Sequence, residues 1–319
     1  MIEIRIHEGN QFVSLKTPVK DCWIDAKNVD KDDLNRLQNE FGVPAELLVD
    51  VMDSGEQARI EIEDDWTLII VRLPVSDPSM EVPCFTIPLG VILFPDKIVT
   101  VCSSYSNALE DLACNRVRIP VMRNQSAFVL RVLERSAITF LRFLNEINKS
   151  ASEIEKNMHT SISNHELLQL FSLQKSLVYF ATSIKSNELL LERMQKSSVM
   201  LLKEEDKDLL EDVIIENIQA MEQTTIYSSI LKGTMDTFGS IINNNLNNEM
   251  KRLAIVNIVL MIPTLTYSFY GMNITLPFAY KPLAVAGVFV FSLTISLLGV
   301  IILKFASSRK IIKVKKHKH

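Results

Sequence analysis

No Asp or Glu occurs after Glu249 in this chain of 319 residues. Residues 1–249 hold all 38 acidic groups against 24 Lys and Arg, a net of −14, while residues 250–319 carry ten Lys and Arg and no acid. The overall charge of −4 hides two opposite ends. An acidic body is a poor match for nucleic acid and suits the gathering of cations near its surface. Glycine is scarce as well, at nine residues, and they form no GxxxxGK[ST] phosphate loop, GxGxxG turn or GxSxG elbow. This argues against a nucleotide partner and ATP-driven work, and the lack of a nucleophile and base at motif spacing argues against an enzyme.

The four cysteines, Cys22, Cys84, Cys102 and Cys114, have no CxxC spacing and read as small buried thiols of a reducing compartment. His7, His159 and His165 are isolated, His317 and His319 belong to the basic end, and His165-Glu166 lacks the second His of a zincin helix, so no zinc site is expected. The start, MIEIRIHEGN, has no basic stretch followed by an apolar run, which predicts that no leader is cleaved.

Between Val121 and Lys232 there is neither Gly nor Pro, and that absence predicts helix. One helix is expected from Ser126 as N-cap to about Met158, a second from Ser163 to about Ser197, and a third opening at Asp206 or Lys207. The third continues through Gly233 and Gly239, so that Leu209 to Tyr270 would span about 93 Å at ~1.5 Å per residue. Residues 1–120 read differently. Ile2–His7 and Ala58–Glu63 alternate with period two, Leu68–Leu73, Gly90–Phe94 and Ile98–Cys102 are apolar strand candidates, and eight of the eleven prolines punctuate the region. Helices fit after Asp30, after Pro44 and over Ser104–Cys114. The expectation is an α/β sandwich of helices on a mixed sheet.

What the last seventy residues do have is apolar length. Leu253 to Tyr270 carries eighteen residues without a charge, about what an α-helix needs to cross a bilayer, and Pro282 to Leu303 adds twenty-two more. Lys251 and Arg252 precede the first run, seven Lys and Arg follow the second, and the connecting loop has only Lys281, which places both termini in the cytoplasm. The polar residues of the first run are not scattered. Alternating steps of three and four collect Asp236, Ser240, Asn243, Asn247, Met250, Ala254, Asn257, Met261, Thr264, Ser268 and Gly271 on one helix seam. A single helix cannot use such a face in lipid. Several copies around an axis would make it a passage lined by amide oxygens and hydroxyls, with Met250, Met261 and nearby Leu253 as apolar constrictions that close by dewetting. Oxygen lining suits the water shell of Mg²⁺, and no Cys or His offers a soft ligand. Inward flow of a divalent cation would draw roughly 4.6 kcal/mol from a 100 mV potential.

Tyr270-Gly271-Met272-Asn273, directly after the first of two C-terminal runs, resembles the signature of the CorA family of magnesium channels. The resemblance extends back through Asp212 to Glu249, similar to the family's stalk helix in length, spacing and Asn-rich end. It implies an α+β membrane protein: a cytoplasmic α/β domain (1–120), antiparallel cytoplasmic helices (121–205), a stalk helix continuing into a pore-lining span (206–273, in the membrane from about 250 to 270), an external loop (274–281), a second span (282–303) and a basic cytoplasmic tail (304–319). It further implies a homopentamer embedded in membrane lipid, with Asn273 binding hydrated cation at the outer mouth. Mg²⁺ would be both cargo and regulator. Asp212 falls where the family has a carboxylate of a cytoplasmic regulatory metal site, with Asp77 or Glu81 of an adjacent subunit as its expected partner, and Asp236 falls at an acidic ring on the axis. The loop Ile274–Lys281 departs from the family by having no acid. Two other readings stay open: transport of Zn²⁺, Co²⁺ or Ni²⁺, and a membrane-anchored helical scaffold that senses Mg²⁺ without conducting it.

Overall fold

The structure is a computed structural model, and it describes residues 1–8, 11–114, 124–158, 164–196, 204–272, 286–299 and 301. The elements run β1 (Ile2–Glu8), β2 (Gln11–Leu15), β3 (Cys22–Lys27), α1 (Lys31–Asn39), α2 (Ala45–Met52), β4 (Arg59–Ile62), β5 (Thr67–Ser76), β6 (Cys84–Phe94), β7 (Lys97–Cys102), α3 (Asn107–Ala113), α4 (Gln125–Met158), α5 (Asn164–Lys196) and α6 (Glu204–Tyr270). A short apolar helix, α7 (Ala286–Gly299), follows. The chain divides into two compact units, Met1–Asp236 and Thr237–His319.

In the first unit seven strands form one sheet in the order β2-β1-β3-β7-β6-β5-β4. Only β3 and β7 run parallel, so the sheet is mixed. Strand alternation sorts the core into two layers. Leu68 and Ile70 of β5, Val99 and Val101 of β7, and Ile24 of β3 meet Leu37 of α1 and Leu47, Leu48 and Val51 of α2. Their neighbours Ile69, Val71, Trp23 and Ile98 meet Leu109 of α3, Phe128 and Leu130 of α4, Leu190 of α5 and Val213 of α6. The segments separated on sequence at residue 120 thus share one core, because a sheet apolar on both faces needs helices on both.

Local chemistry starts and stops these helices. Asp30 accepts the Asp33 N–H at 2.8 Å to cap α1. Gly42, at φ +69°, lets the Val43 N–H reach back to the Leu37 carbonyl at 3.0 Å and end it. Gly90 lets α2 lie close on β6: a Cβ there would stand 2.3 Å from Val51 Cγ2.

Two elements escape the sequence reading, β2 and β3. Two others are longer than expected, β5 running on through Pro74 and β6 beginning six residues before Gly90. The prolines are tolerated for a definable reason. Arg72 pairs opposite Pro88, and Pro74 opposite Thr86, while Arg72 turns its N–H and C=O away from β6 toward α5. By the alternation of an antiparallel ladder, Pro74 and Pro88 also turn their ring nitrogens outward, where no ladder bond is lost.

Beyond Ile70 no strand pairs with β5 on its outer side among the described residues, and α5 takes over. Asn187 accepts the Arg72 N–H at 2.9 Å and donates to the Arg72 carbonyl at 2.9 Å, while Ser136 of α4 donates to the same carbonyl at 2.9 Å. Ser186 accepts the Ala58 N–H at 2.7 Å, and Ser176 the Cys84 N–H at 3.3 Å. A row of buried polar residues on a helix is thereby satisfied by a sheet edge.

A second buried network closes the α3 side. Trp23 Nε1 donates to Thr100 Oγ1 (2.8 Å), which donates to Asp25 Oδ1 (3.0 Å). Lys27 Nζ lies 2.9 Å from Asp25 Oδ2 and 3.1 Å from Glu110 Oε2. Burial pushes the Asp25 carboxyl up, against the pull of Lys27 and Thr100. Three of the four cysteines are buried as expected, with Cys102 pushed to about 12 by burial; Cys114 is exposed, its Sγ donating to Glu110 Oε1 at 3.1 Å.

Candidate functional site

α6 is one helix from Glu204 to Tyr270, unbroken at Gly233 and Gly239. Its C-terminal part belongs to the second unit and packs against α7. The side turned to α7 is half-buried, at Ile255, Val259, Ile262 and Thr266. Pro263 sits in this stretch and cannot donate to the Val259 carbonyl four residues back. Ser296 of α7 lies beside the freed carbonyl, its hydroxyl 3.5 Å from Val259 O and 3.0 Å from Ser292 O, two acceptors for its single proton. Ser292 in turn reaches the Tyr267 hydroxyl at 3.4 Å. Ser292, Ser296 and Gly299 recur at four- and three-residue steps, the small-residue spacing that lets two apolar helices approach closely.

The expected seam lies on the opposite side. Asn243, Asn247, Met250, Leu253, Asn257, Met261, Thr264 and Ser268 are all exposed in the single chain. With 3.6 residues per turn, Asn257 points about half a turn away from Val259, Ile262 and Thr266. Thr264 donates its hydroxyl proton to the Leu260 carbonyl at 2.7 Å, which leaves its oxygen lone pairs facing outward as acceptors. By length and composition α6 contains one stretch able to cross a membrane, and none of that stretch is buried.

At the end of α6 the Gly271 N–H donates to the Tyr267 carbonyl at 2.9 Å and the Met272 N–H to the Phe269 carbonyl at 3.4 Å. A Cβ on Gly271 would come within 3.3 Å of Tyr267 O, so a side chain there would have to push the backbone by a few tenths of an ångström. Asn273 lies outside the described residues, as do the loop 274–281, the tail 304–319 and the ends of the second apolar run.

The carboxylates expected at a regulatory metal site are spread over the surface of the first unit. Asp77 opens the turn between β5 and β6, where Ser79 donates to it from its N–H at 2.9 Å and its hydroxyl at 2.7 Å; these bonds hold its carboxyl below the usual range. Glu81 is held by Lys175 of α5 at 2.9 Å, and its carboxyl is lowered by that bond. Asp212 and Asp236 are exposed on α6. Among the described residues no group of three or more His, Cys, Asp or Glu is placed to hold a metal ion. Carboxylate oxygens are the right donors for a hard cation.

Sequence reading missed the surroundings of Asp212. Burial pushes the Glu216 carboxyl up, Glu134 and Asp212 push it further, and Arg135 opposes. Glu134 pairs with Arg131 at 2.8 Å, and Glu216 Oε2 is buried without a hydrogen-bond partner. The spacing of Asp212 and Glu216 by four along α6 was visible, but the arrival of α4 beside them was not.

Comparison with known proteins agrees with this architecture. Residues 20–310 match the family described as CorA-like Mg2+ transporter protein. A cobalt/magnesium transport protein CorA of Methanocaldococcus jannaschii is 25% identical over 266 residues, covering 82% of this chain and 81% of its own length. The CorA protein of the same description from Thermotoga maritima is 21% identical over 301 residues, covering 88% and 83%. The solved complete structure of the CorA magnesium transporter from Methanocaldococcus jannaschii superposes with a TM-score of 0.77 at 22% identity, over 96% of both chains, and shares the fold. With most of its length matched, the chain belongs to the CorA-like Mg2+ transporter protein family.

Proposed function

We propose that the chain is a passive channel for Mg²⁺, built as a homopentamer in the cytoplasmic membrane with both termini in the cytoplasm. α6 lines the pore, α7 and its flanks form the outer span, and the inside-negative potential drives influx. One observation carries this reading: a helix long and apolar enough to cross a membrane keeps its Asn, Thr and Ser seam on the side opposite its helical neighbour. In lipid such a face needs partners, and symmetry-related copies supply them. The names of the two CorA relatives support cobalt or magnesium as cargo.

Gating follows from charge. Mg²⁺ bridging carboxylates of adjacent subunits would hold the ring closed, and its loss would leave acidic groups repelling one another. Asp212 with Asp77 of a neighbour is the better pair. Glu81 would first have to release Lys175.

The test is Mg²⁺ uptake by liposomes containing the purified full-length protein. Uptake is expected to be driven by a negative interior and lost in Asn273→Ala. Zn²⁺ uptake without Mg²⁺ uptake would transfer the cargo to zinc, and no uptake of either would leave a scaffold. Asp212→Ala is expected to weaken the block by internal Mg²⁺; an unchanged block would remove Asp212 from the sensor.

A further inference from the structure

Arg72 stands in the middle of β5, buried at 8% exposure and flanked by Ile69, Ile70, Val71 and Leu73. Its donors all end on neutral oxygens. Nη1 donates to the carbonyls of Ser54 (2.9 Å) and Glu56 (2.8 Å), Nη2 to the carbonyl and hydroxyl of Thr86 (3.0 and 2.8 Å), and Nε to Ser183 Oγ (3.4 Å). Among the described residues no carboxylate lies within ion-pair distance of it. Burial lowers its pKa and only Asp53, at longer range, opposes that. A buried cation without an opposite charge is costly, and natural structures rarely leave one so.

Arg72 forms part of the wall of an open cavity of about 370 Å³, the size of a small-molecule site. Ser54 and Thr86 line it beside Arg72, and the remaining walls are Met80, Val82, Phe85 and Tyr179: a thioether, an aliphatic group and two rings. Glu81 lies at the edge, but its charge is already held by Lys175. The cavity thus combines an uncompensated positive floor with apolar and aromatic sides.

We propose that this cavity binds a small aromatic carboxylate, its anion drawn by the charge of Arg72, whose five N–H groups are already bonded within the protein, and its ring held between Phe85, Val82 and Tyr179. One negative charge balances the guanidinium. A doubly charged inorganic anion would gain more Coulomb attraction but would leave the apolar walls facing water and give up far more hydration. The turn 77–83 that supplies Met80 and Val82 also carries Asp77 and Glu81, so an occupant would touch the segment expected to take part in Mg²⁺ sensing.

The experiment is ligand-observed saturation-transfer NMR on the full-length protein in detergent, with benzoate, benzamide and inorganic phosphate as probes. Benzoate is expected to bind at least tenfold more tightly than benzamide, not to be displaced by phosphate, and to lose its signal in Val82→Trp, which fills the cavity without touching the Arg72 hydrogen bonds. Partition into detergent favours the neutral amide, so equal or stronger binding of benzamide would overturn the proposal. So would benzoate binding that survives Val82→Trp, or displacement by phosphate at equal concentration. Arg72→Met is informative only if it folds; the cavity-filling variant decides in either case.

Discussion

Asn187 is a side chain acting in place of a strand, and the cost of removing it can be worked from its partners. In Asn187→Leu the Arg72 N–H, buried and facing α5, loses its only hydrogen-bond acceptor among the described residues; an orphaned buried donor costs roughly 1–3 kcal/mol. The Arg72 carbonyl fares better, because Ser136 still donates to it at 2.9 Å, so that side loses one bond worth roughly 0.5–1.5 kcal/mol. The sum is about 2–4 kcal/mol, part of which the new apolar side chain offsets. For a unit of this size that corresponds to a fall in Tm on the order of 10 °C. Ser136→Ala provides the contrast: the carbonyl keeps Asn187, nothing is orphaned, and the expected cost is about 1 kcal/mol. Thermal unfolding followed by circular dichroism ranks the two variants, and hydrogen exchange with mass spectrometry reads the Arg72 amide directly. If Asn187→Leu costs no more than Ser136→Ala, or leaves exchange around Arg72 unchanged, the account of how α5 completes the sheet is wrong.

Other outcomes follow from the same packing. Gly90→Ala forces a methyl into Val51 Cγ2 and is expected to cost about 1–3 kcal/mol, with much of the loss recovered in the double variant Gly90→Ala/Val51→Ala; additive losses would show that α2 has slack on β6. Glu216 has a folded-state pKa raised by burial and by Glu134, so the folded chain binds its proton more tightly and the ionised form costs stability as pH rises above the ordinary 4.5. Glu216→Gln should therefore stabilise the fold at pH 7, by no more than about 1 kcal/mol given partial solvent screening, read as a higher Tm, and the gain should vanish as pH falls toward 4.5; a gain independent of pH would mean that charge is not the cause.

The parts of the fold legible in the sequence were those where one periodicity acted alone. β1 alternates cleanly and α4 has no Gly or Pro to interrupt it. β3 was hidden because all six of its residues are buried, including Asp25 and Lys27, so it shows neither alternation nor an apolar run. Their burial depends on Thr100 and Glu110, more than seventy residues away. β5 and β6 were shortened on paper by Pro74 and Pro88, whose harmlessness depends on which side of the ladder their nitrogens face. The seam on α6 was readable because helical spacing depends on nothing but the helix. Its exposure opposite α7 needed coordinates, and the pairing of Glu81 with Lys175, which bears on the choice between Glu81 and Asp77, joins two segments that no local pattern connects.

Closing β5 with a helix instead of an eighth strand also protects the protein from itself. A bare strand edge recruits the edge of another copy. An amide and a hydroxyl occupy the groups such a stranger would need, so neighbours are left to meet through surfaces other than this one.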